Sequence, residues 1–359
     1  MIFTTSKLTY KAYTYKTRSS PIKITTKTID LVPDSQSPSS FVAPPGKILI
    51  KVNYVALNPF DTKLYSMAIW PISTNSGIGR DFSGEIISIG QNTSSGFKIC
   101  DLVQGIYPLF YDSQGTLSEY LLVSPRDIDI GVIPKNMSLI DAASRVTVFG
   151  TTVSISEELG FKGKKVLILG GGTSVGRYLV QLTHQFQAKE VVVTCSGRTQ
   201  TTIENLGADK IIDYTKHENL VTPILDSVKE TGSFDYIIDC YGGNQLFPKI
   251  KTILTRNGSY YTLAGDYPGS SFKKVLWSMI KVNLRQVWSK MGLLGYKYKF
   301  VQFIRFEKDL MKKSLELLET GKFETFIDSV YPFDQLDQAI EKLESGKTSG
   351  KVVVEVAKE

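Results

Sequence analysis

Three glycines open the segment Gly170-Gly-Gly-Thr-Ser-Val-Gly176, set between Lys165-Val-Leu-Ile-Leu169 and Arg177-Tyr-Leu-Val-Gln-Leu182. The first flank reads as a buried parallel strand and the second as a helix. A glycine turn in that context points the N–H groups of a helix N-terminus at an anion, which is the chemistry of a phosphate cradle. Gly170 would permit the tight turn, Gly172 a close approach of backbone to a pyrophosphate, and Gly176 close helix–sheet packing. Thr173, Ser174 and Val175 complete the turn, with Val175 standing where the third glycine of the usual spacing would fall. The expectation is a dinucleotide site; the alternative is a glycine turn without a ligand.

The next apolar run, Glu190-Val-Val-Val-Thr-Cys-Ser-Gly-Arg198, bears on which dinucleotide. An NAD site wants an acid at the carboxyl end of this strand for the ribose 2′-hydroxyl. That end offers Ser196 and Arg198 instead, and Glu190 lies at the other end. A guanidinium with a hydroxyl beside it suits a 2′-phosphate, so the expected cofactor is NADP(H). The plainer reading of Arg198 is a solvated surface residue. Gly242, after Asp239, and Ala264 close two further strands at the same end, where small residues leave room for a flat ring.

These residues need a sheet to position them. Strands are expected at 166–169, 191–195, 236–239 and 259–263 with helices between them, an alternation that predicts a doubly wound parallel sheet. Residues 1–140 read as short strands and turns, among them Ile48-Leu-Ile-Lys-Val-Asn-Tyr-Val55 and Gly84-Glu-Ile-Ile-Ser-Ile-Gly90. Toward the C-terminus two helices are expected, one from about Glu307 and one around 334–344, before a last strand at 352–356. That strand is too short to stand alone and is expected to return to the β-rich part. The organisation is therefore 1–144 plus 307–359 as one domain, with 145–306 inserted as the dinucleotide-binding domain.

The 359 residues are 42% hydrophobic and 21% charged, the balance of an ordinary globular protein. No apolar run reaches the roughly 18 residues needed to span a bilayer. Three unpaired cysteines argue against a disulfide framework and for an intracellular setting. The first 29 residues carry six basic side chains and no acid. They read as an opening strand pair around Leu8, Tyr10 and Tyr13, with a mitochondrial presequence as the other reading.

On these motifs the chain resembles the medium-chain dehydrogenase/reductases, in their zinc-free, quinone-oxidoreductase-like branch. Ala56-Leu-Asn-Pro-Phe-Asp61 is similar to the branch's N-P-x-D element. Gly79-Arg-Asp-Phe-Ser-Gly84, Gly115-Thr-Leu-Ser-Glu-Tyr120, the long-spaced glycine turn, Leu206-Gly-Ala-Asp209 with Asp213-Tyr214, and Ser349-Gly-Lys-Val-Val353 follow in the family's order. The likeness extends to a fungal subgroup whose glycine turn also reads Thr-Ser-Val and whose members are associated with lipid droplets and mitochondria. The resemblance implies an α/β fold, a doubly wound parallel Rossmann sheet inserted in a β-rich GroES-like domain. It implies that Asn58 and Asp61 line the nicotinamide pocket and that Thr151 packs beside the ring. It also implies that Tyr214 joins Ser196 and Arg198 at the adenosine phosphate end, and that Lys351 approaches the phosphates. The implied reaction is hydride transfer to a small apolar carbonyl, enone or quinone, with a homodimer as a possible assembly.

No metal is expected. Zinc-dependent relatives carry Cys where this chain has Asn58 and His-Glu where it has Arg80-Asp81, and three scattered cysteines with two histidines supply no ordinary N/S ligand set. A proton donor is less defined. Enoyl-reducing relatives use Tyr-Pro after the N-P-x-D element; this chain has Trp70-Pro71, with Tyr65 as a possible substitute. Cys100 also replaces the glycine of the family's G-D-x-V motif.

The net charge of +7 is concentrated. Residues 266–313 hold eleven Lys or Arg against three acids. Within them, Phe272, Val275, Leu276, Met279, Ile280 and Val287 share one helical face, with Lys274, Lys281 and Arg285 mainly opposite. Tyr296, Tyr298, Phe300, Phe303 and Phe306 follow. Two readings stand: a segment in peripheral contact with an anionic lipid surface through 272–306, or a helix packed against the protein or a second subunit. No recognition module for nucleic acid accompanies the charge. The sequence thus carries two functional hypotheses, a reductase and a lipid-surface binding protein that keeps the fold with little catalysis.

Overall fold

The computed structural model describes residues 3–16, 20–37, 39–67, 76–93, 96–108, 114–267, 272–301 and 309–358. The chain divides into two compact units, Met1–Gly150 with Ile304–Glu359, and Thr151–Phe303.

The first unit is built on a largely antiparallel sheet. Its strands run in the order Asp129–Val132, Leu102–Ile106, Asp81–Ile89, Ile48–Leu57, Lys351–Glu355, Ile327–Pro332, and Tyr120–Val123 also pairs with Ile48–Leu57. Nine of the ten residues of Ile48–Leu57 are buried, because both faces of that strand are covered. Ile48, Ile50 and Val52 enter a core with Phe82, Ile86 and Leu117, while Tyr54 and Ala56 pack with Leu139, Ala142 and Val353. The last strand does return: Val352 opposes Leu57 and Val354 opposes Val55. The basic N-terminal stretch forms a hairpin, Lys7–Tyr15 against Lys23–Asp30.

The second unit holds a six-stranded, wholly parallel sheet. Its spatial order is Lys210–Asp213, Glu190–Cys195, Lys165–Leu169, Phe234–Asp239, Leu254–Thr262, Lys297–Phe300. In chain order this is 3-2-1-4-5-6, the doubly wound arrangement with its switch point at the first strand. The glycine turn leaves that strand, so topology alone places it where ligands of such sheets bind. Continuous Val/Ile/Leu runs make the central strands; Lys165–Leu169 is buried throughout.

Three strands lie beyond the sequence reading, one of them Ile327–Pro332 between the two C-terminal helices. Lys210-Ile-Ile-Asp213 is too short to show a period, and Lys297-Tyr-Lys-Phe300 was read with the basic insert. Among the described residues no helix is long and apolar enough to cross a membrane.

Candidate active site

Thr173 organises the glycine turn. It caps the helix Ser174–Gln185, its Oγ1 accepting from the Gly176 N–H at 3.0 Å and donating to the Gly170 carbonyl at 2.8 Å. Gly170 has φ +77°, a backbone that disfavours any side chain. A Cβ on Gly176 would stand 2.4 Å from the Gly170 carbonyl oxygen, so the helix start lies directly on the turn. Gly171, which the motif leaves unnamed, is equally demanding: its Cβ would meet Val193 Cγ1 at 2.1 Å. At Gly172 the nearest atom is Thr199 Oγ1 at 3.1 Å, so the fold itself presses less on this glycine. Among the described residues the Ser174 and Val175 N–H groups have no acceptor. They are two of the first-turn donors a helix leaves unsatisfied, set at the positive end of its dipole. The turn fits a pyrophosphate.

The second strand delivers Ser196, half-buried, and then Arg198, exposed on the short turn Gly197–Thr199. The structure adds an acid here that reading one strand at a time overlooked. Asp213 ends the neighbouring strand, opposite Cys195, and its Oδ2 lies 2.9 Å from where a Cβ of Gly197 would be. Its carboxylate is already engaged: Thr215 donates through Oγ1 at 2.7 Å and through N–H at 3.0 Å, and Lys216 pairs with it at 3.5 Å. Those contacts, the Thr215 hydroxyl first, hold it below the usual carboxylate range. Tyr214 stands exposed on the following turn.

At the carboxyl ends of the fourth and fifth strands, buried Asp239 ties two turns together. One oxygen accepts from the N–H groups of Gly242 (2.7 Å) and Tyr241 (3.1 Å), and the other from the Tyr260 hydroxyl (3.0 Å) and Thr262 Oγ1 (3.2 Å). Burial nevertheless raises the Asp239 carboxyl, and it raises the Tyr260 hydroxyl as well. Gly242, at φ +99°, lies against Ala264, whose Cβ would be 3.0 Å from a Cβ placed there. The network fixes the small-residue shelf expected from Gly242 and Ala264.

A second polar cluster lies within the first unit. Asn58 Nδ2 donates to Asp81 at 3.0 Å, and Lys351 Nζ donates to Asn58 Oδ1 at 2.7 Å and approaches Asp81 at 3.5 Å. Asp61 accepts from the Asn58 N–H at 2.7 Å, and Thr147 donates its hydroxyl to Asp81. Asn58, Asp61, Asp81 and Lys351 are all buried. Burial lifts the Asp61 carboxyl to about 6; the Asn58 N–H opposes the rise, Asp81 adds to it, and Arg80 and Lys351 pull back. Burial also lowers the Lys351 ammonium, against the pull of Asp81 and Asp61. The lysine assigned to a phosphate by resemblance thus has its ammonium placed on Asn58 and Asp81.

Thr151 is buried on the helix Leu139–Leu159. Tyr65, half-buried, donates its hydroxyl to the Ser20 carbonyl at 2.6 Å and packs edge-on against Tyr15. Trp70-Pro71 lies outside the described residues.

The donor set does not fit zinc. Where a metal would need Cys and His, the first unit offers an amide and a carboxylate with an ammonium already among them, and like charge repels a divalent cation. Among the described residues no group of three His, Cys, Asp or Glu could hold an ion.

Residues 44–132 match the alcohol dehydrogenase GroES-like domain and residues 206–354 the zinc-binding dehydrogenase family. The chain is 31% identical to Protein YIM1 of Vanderwaltozyma polyspora, over 97% of this chain and 99% of that one. Protein YIM1 of Saccharomyces cerevisiae is 30% identical over 97% of this chain and 98% of its own length. The quinone oxidoreductase of Coxiella burnetii superposes with a TM-score of 0.74 at 22% identity, over 98% of this chain and the whole of that structure.

Proposed function

Since the chain belongs to the YIM1 family of the medium-chain dehydrogenase/reductases, we propose that it is a zinc-free, NADPH-dependent oxidoreductase acting on a quinone, an enone or a lipid-derived carbonyl. The observation that carries this reading is the Thr173-capped turn, with the Ser174 and Val175 N–H groups free of acceptors among the described residues, at the switch point of a parallel sheet. The bound dinucleotide would supply the hydride. The chain's part is positioning. Gly170–Gly176 would hold the pyrophosphate, and Ser196 and Arg198 the 2′-phosphate, with Asp213 kept off that charge by Thr215 and Lys216. The Asp239 network would hold the shelf for the flat ring. Asn58 and Asp61, held by their hydrogen bonds, would line the nicotinamide pocket.

Fluorescence titration with NADPH and with NADH tests the cofactor, followed by NADPH oxidation with a panel of quinones and enones. We expect NADPH to bind more tightly, and Arg198→Asp to weaken NADPH at least tenfold while sparing NADH. Absence of any dinucleotide binding defeats the reading; equal effects on both cofactors refute the role of Arg198. A second reading is a binding protein with little turnover, favoured by Tyr65, whose proton is already given to the Ser20 carbonyl. Tight NADPH binding without oxidation would select it.

A further inference from the structure

The helix Phe272–Lys290 turns its polar stripe inward. Ser278 Oγ accepts from the Asp266 N–H at 2.9 Å, and Ser289 Oγ accepts from the Tyr298 N–H at 2.8 Å. Arg285 pairs with Asp266 while its guanidinium lies 3.8 Å from the Phe247 ring centroid. Arg285 is therefore half-buried in this pairing and withdrawn from the basic outer surface the sequence suggested. The cause is local: the Asp266 side chain, 5% exposed after the fifth strand, takes Arg285 as its ion-pair partner.

With that stripe anchored, the opposite face carries Leu276, Trp277, Ile280, Leu284, Val287 and Trp288, each between 43% and 59% exposed. They recur at helical spacing and form one continuous apolar stripe. Lys281 flanks it on one side, its ammonium over the Trp277 ring at 5.7 Å, and Lys290 on the other. Lys273 and Lys274 stand exposed at the helix start. No acid occurs from Tyr267 to Phe306. An exposed apolar stripe of this length marks a docking surface, and its rim selects the partner. A second copy docked two-fold would set lysine rim against lysine rim. An anionic surface accepts the lysines, and tryptophans settle at the boundary between headgroups and acyl chains.

We propose that the Phe272–Lys290 helix docks this protein, axis in plane, onto phospholipid bilayers bearing anionic headgroups. The proposal does not rest on the reductase reading, since it needs neither cofactor nor turnover. The full chain is mixed with vesicles of phosphatidylcholine alone, or of equal parts phosphatidylcholine and phosphatidylserine, and floated on a density gradient. Expected are co-flotation with the mixed vesicles only, a blue shift of tryptophan emission, and release by salt. Replacing Trp277 and Trp288 by Ser should abolish flotation, and Lys273→Glu, Lys274→Glu and Lys290→Glu should each weaken it about fivefold or more. All five positions are exposed, so an unchanged melting temperature shows that the fold survives. No flotation with mixed vesicles, or flotation indifferent to these changes, overturns the proposal. So does a dimer in light scattering that Ile280→Lys splits, which would assign the stripe to a second copy.

Discussion

Lys351 reaches across 293 positions of sequence to place its ammonium 2.7 Å from Asn58 Oδ1. Because an ammonium only donates, that contact fixes which way the amide points, and Asp81 confirms it by accepting from Nδ2 at 3.0 Å. Removing one member leaves a buried charge without its partner. Lys351→Met should cost about 3 kcal/mol or more of stability, read from urea unfolding. Adding Asp81→Asn to Lys351→Met should recover part of the loss; a double variant weaker than the single would show that the pair is not the source.

Asp61 gives the fold a signature in acid. Its carboxyl titrates at about 6 in the native state against an ordinary 3.8, so the folded chain holds that proton more tightly than the unfolded one. The resulting stability is full below about pH 4 and is lost as pH rises through about 6, a change on the order of 3 kcal/mol. Asp61→Asn should flatten this part of the profile while keeping an acceptor for the Asn58 N–H. An unchanged slope in denaturant melts between these limits would locate the titration elsewhere.

The glycines of the turn should separate by mechanism. Gly176→Ala drives a methyl onto the Gly170 carbonyl and should lower both melting temperature and NADPH affinity. Gly172→Ala meets only the Thr199 hydroxyl, so its effect should fall mainly on affinity. Thr173→Ala removes a cap and should cost about 1 kcal/mol. Calorimetry of the free chain beside a fluorescence titration distinguishes the three.

Much of this was legible in the residues. The buried run Lys165–Leu169, the glycines after it and the alternation of strands and helices place the parallel sheet, because each carries a strong local signal. Other features depend on contacts distant in sequence. Gly171 looks like a spare glycine until Val193 of the neighbouring strand is set against it. Asp213 reads as the end of a short strand, and only parallel pairing brings it beside Gly197. The inward turn of Arg285 follows from its pairing with Asp266, nineteen residues earlier. Periodicity reports which residues share a helical face but not which face the protein covers.

Cys100 is the simplest stability test. It holds φ +70° in an exposed turn, its N–H bonded to the Ile86 carbonyl. A left-handed backbone costs a side-chain-bearing residue about 1 kcal/mol that glycine escapes. Cys100→Gly should therefore raise the melting temperature by a few degrees with no change in dinucleotide affinity; a lower midpoint would show that the thiol contributes packing the backbone argument ignores.

The strand Lys351–Glu355 lies between Ile48–Leu57 and Ile327–Pro332, so the unit that begins the chain is completed by its end. On a ribosome the order of maturation is then inverted. The inserted parallel sheet has all its strands once Phe300 has emerged, whereas the earlier-made β-rich unit waits, with Asp81 lacking its ammonium, for the last residues to arrive.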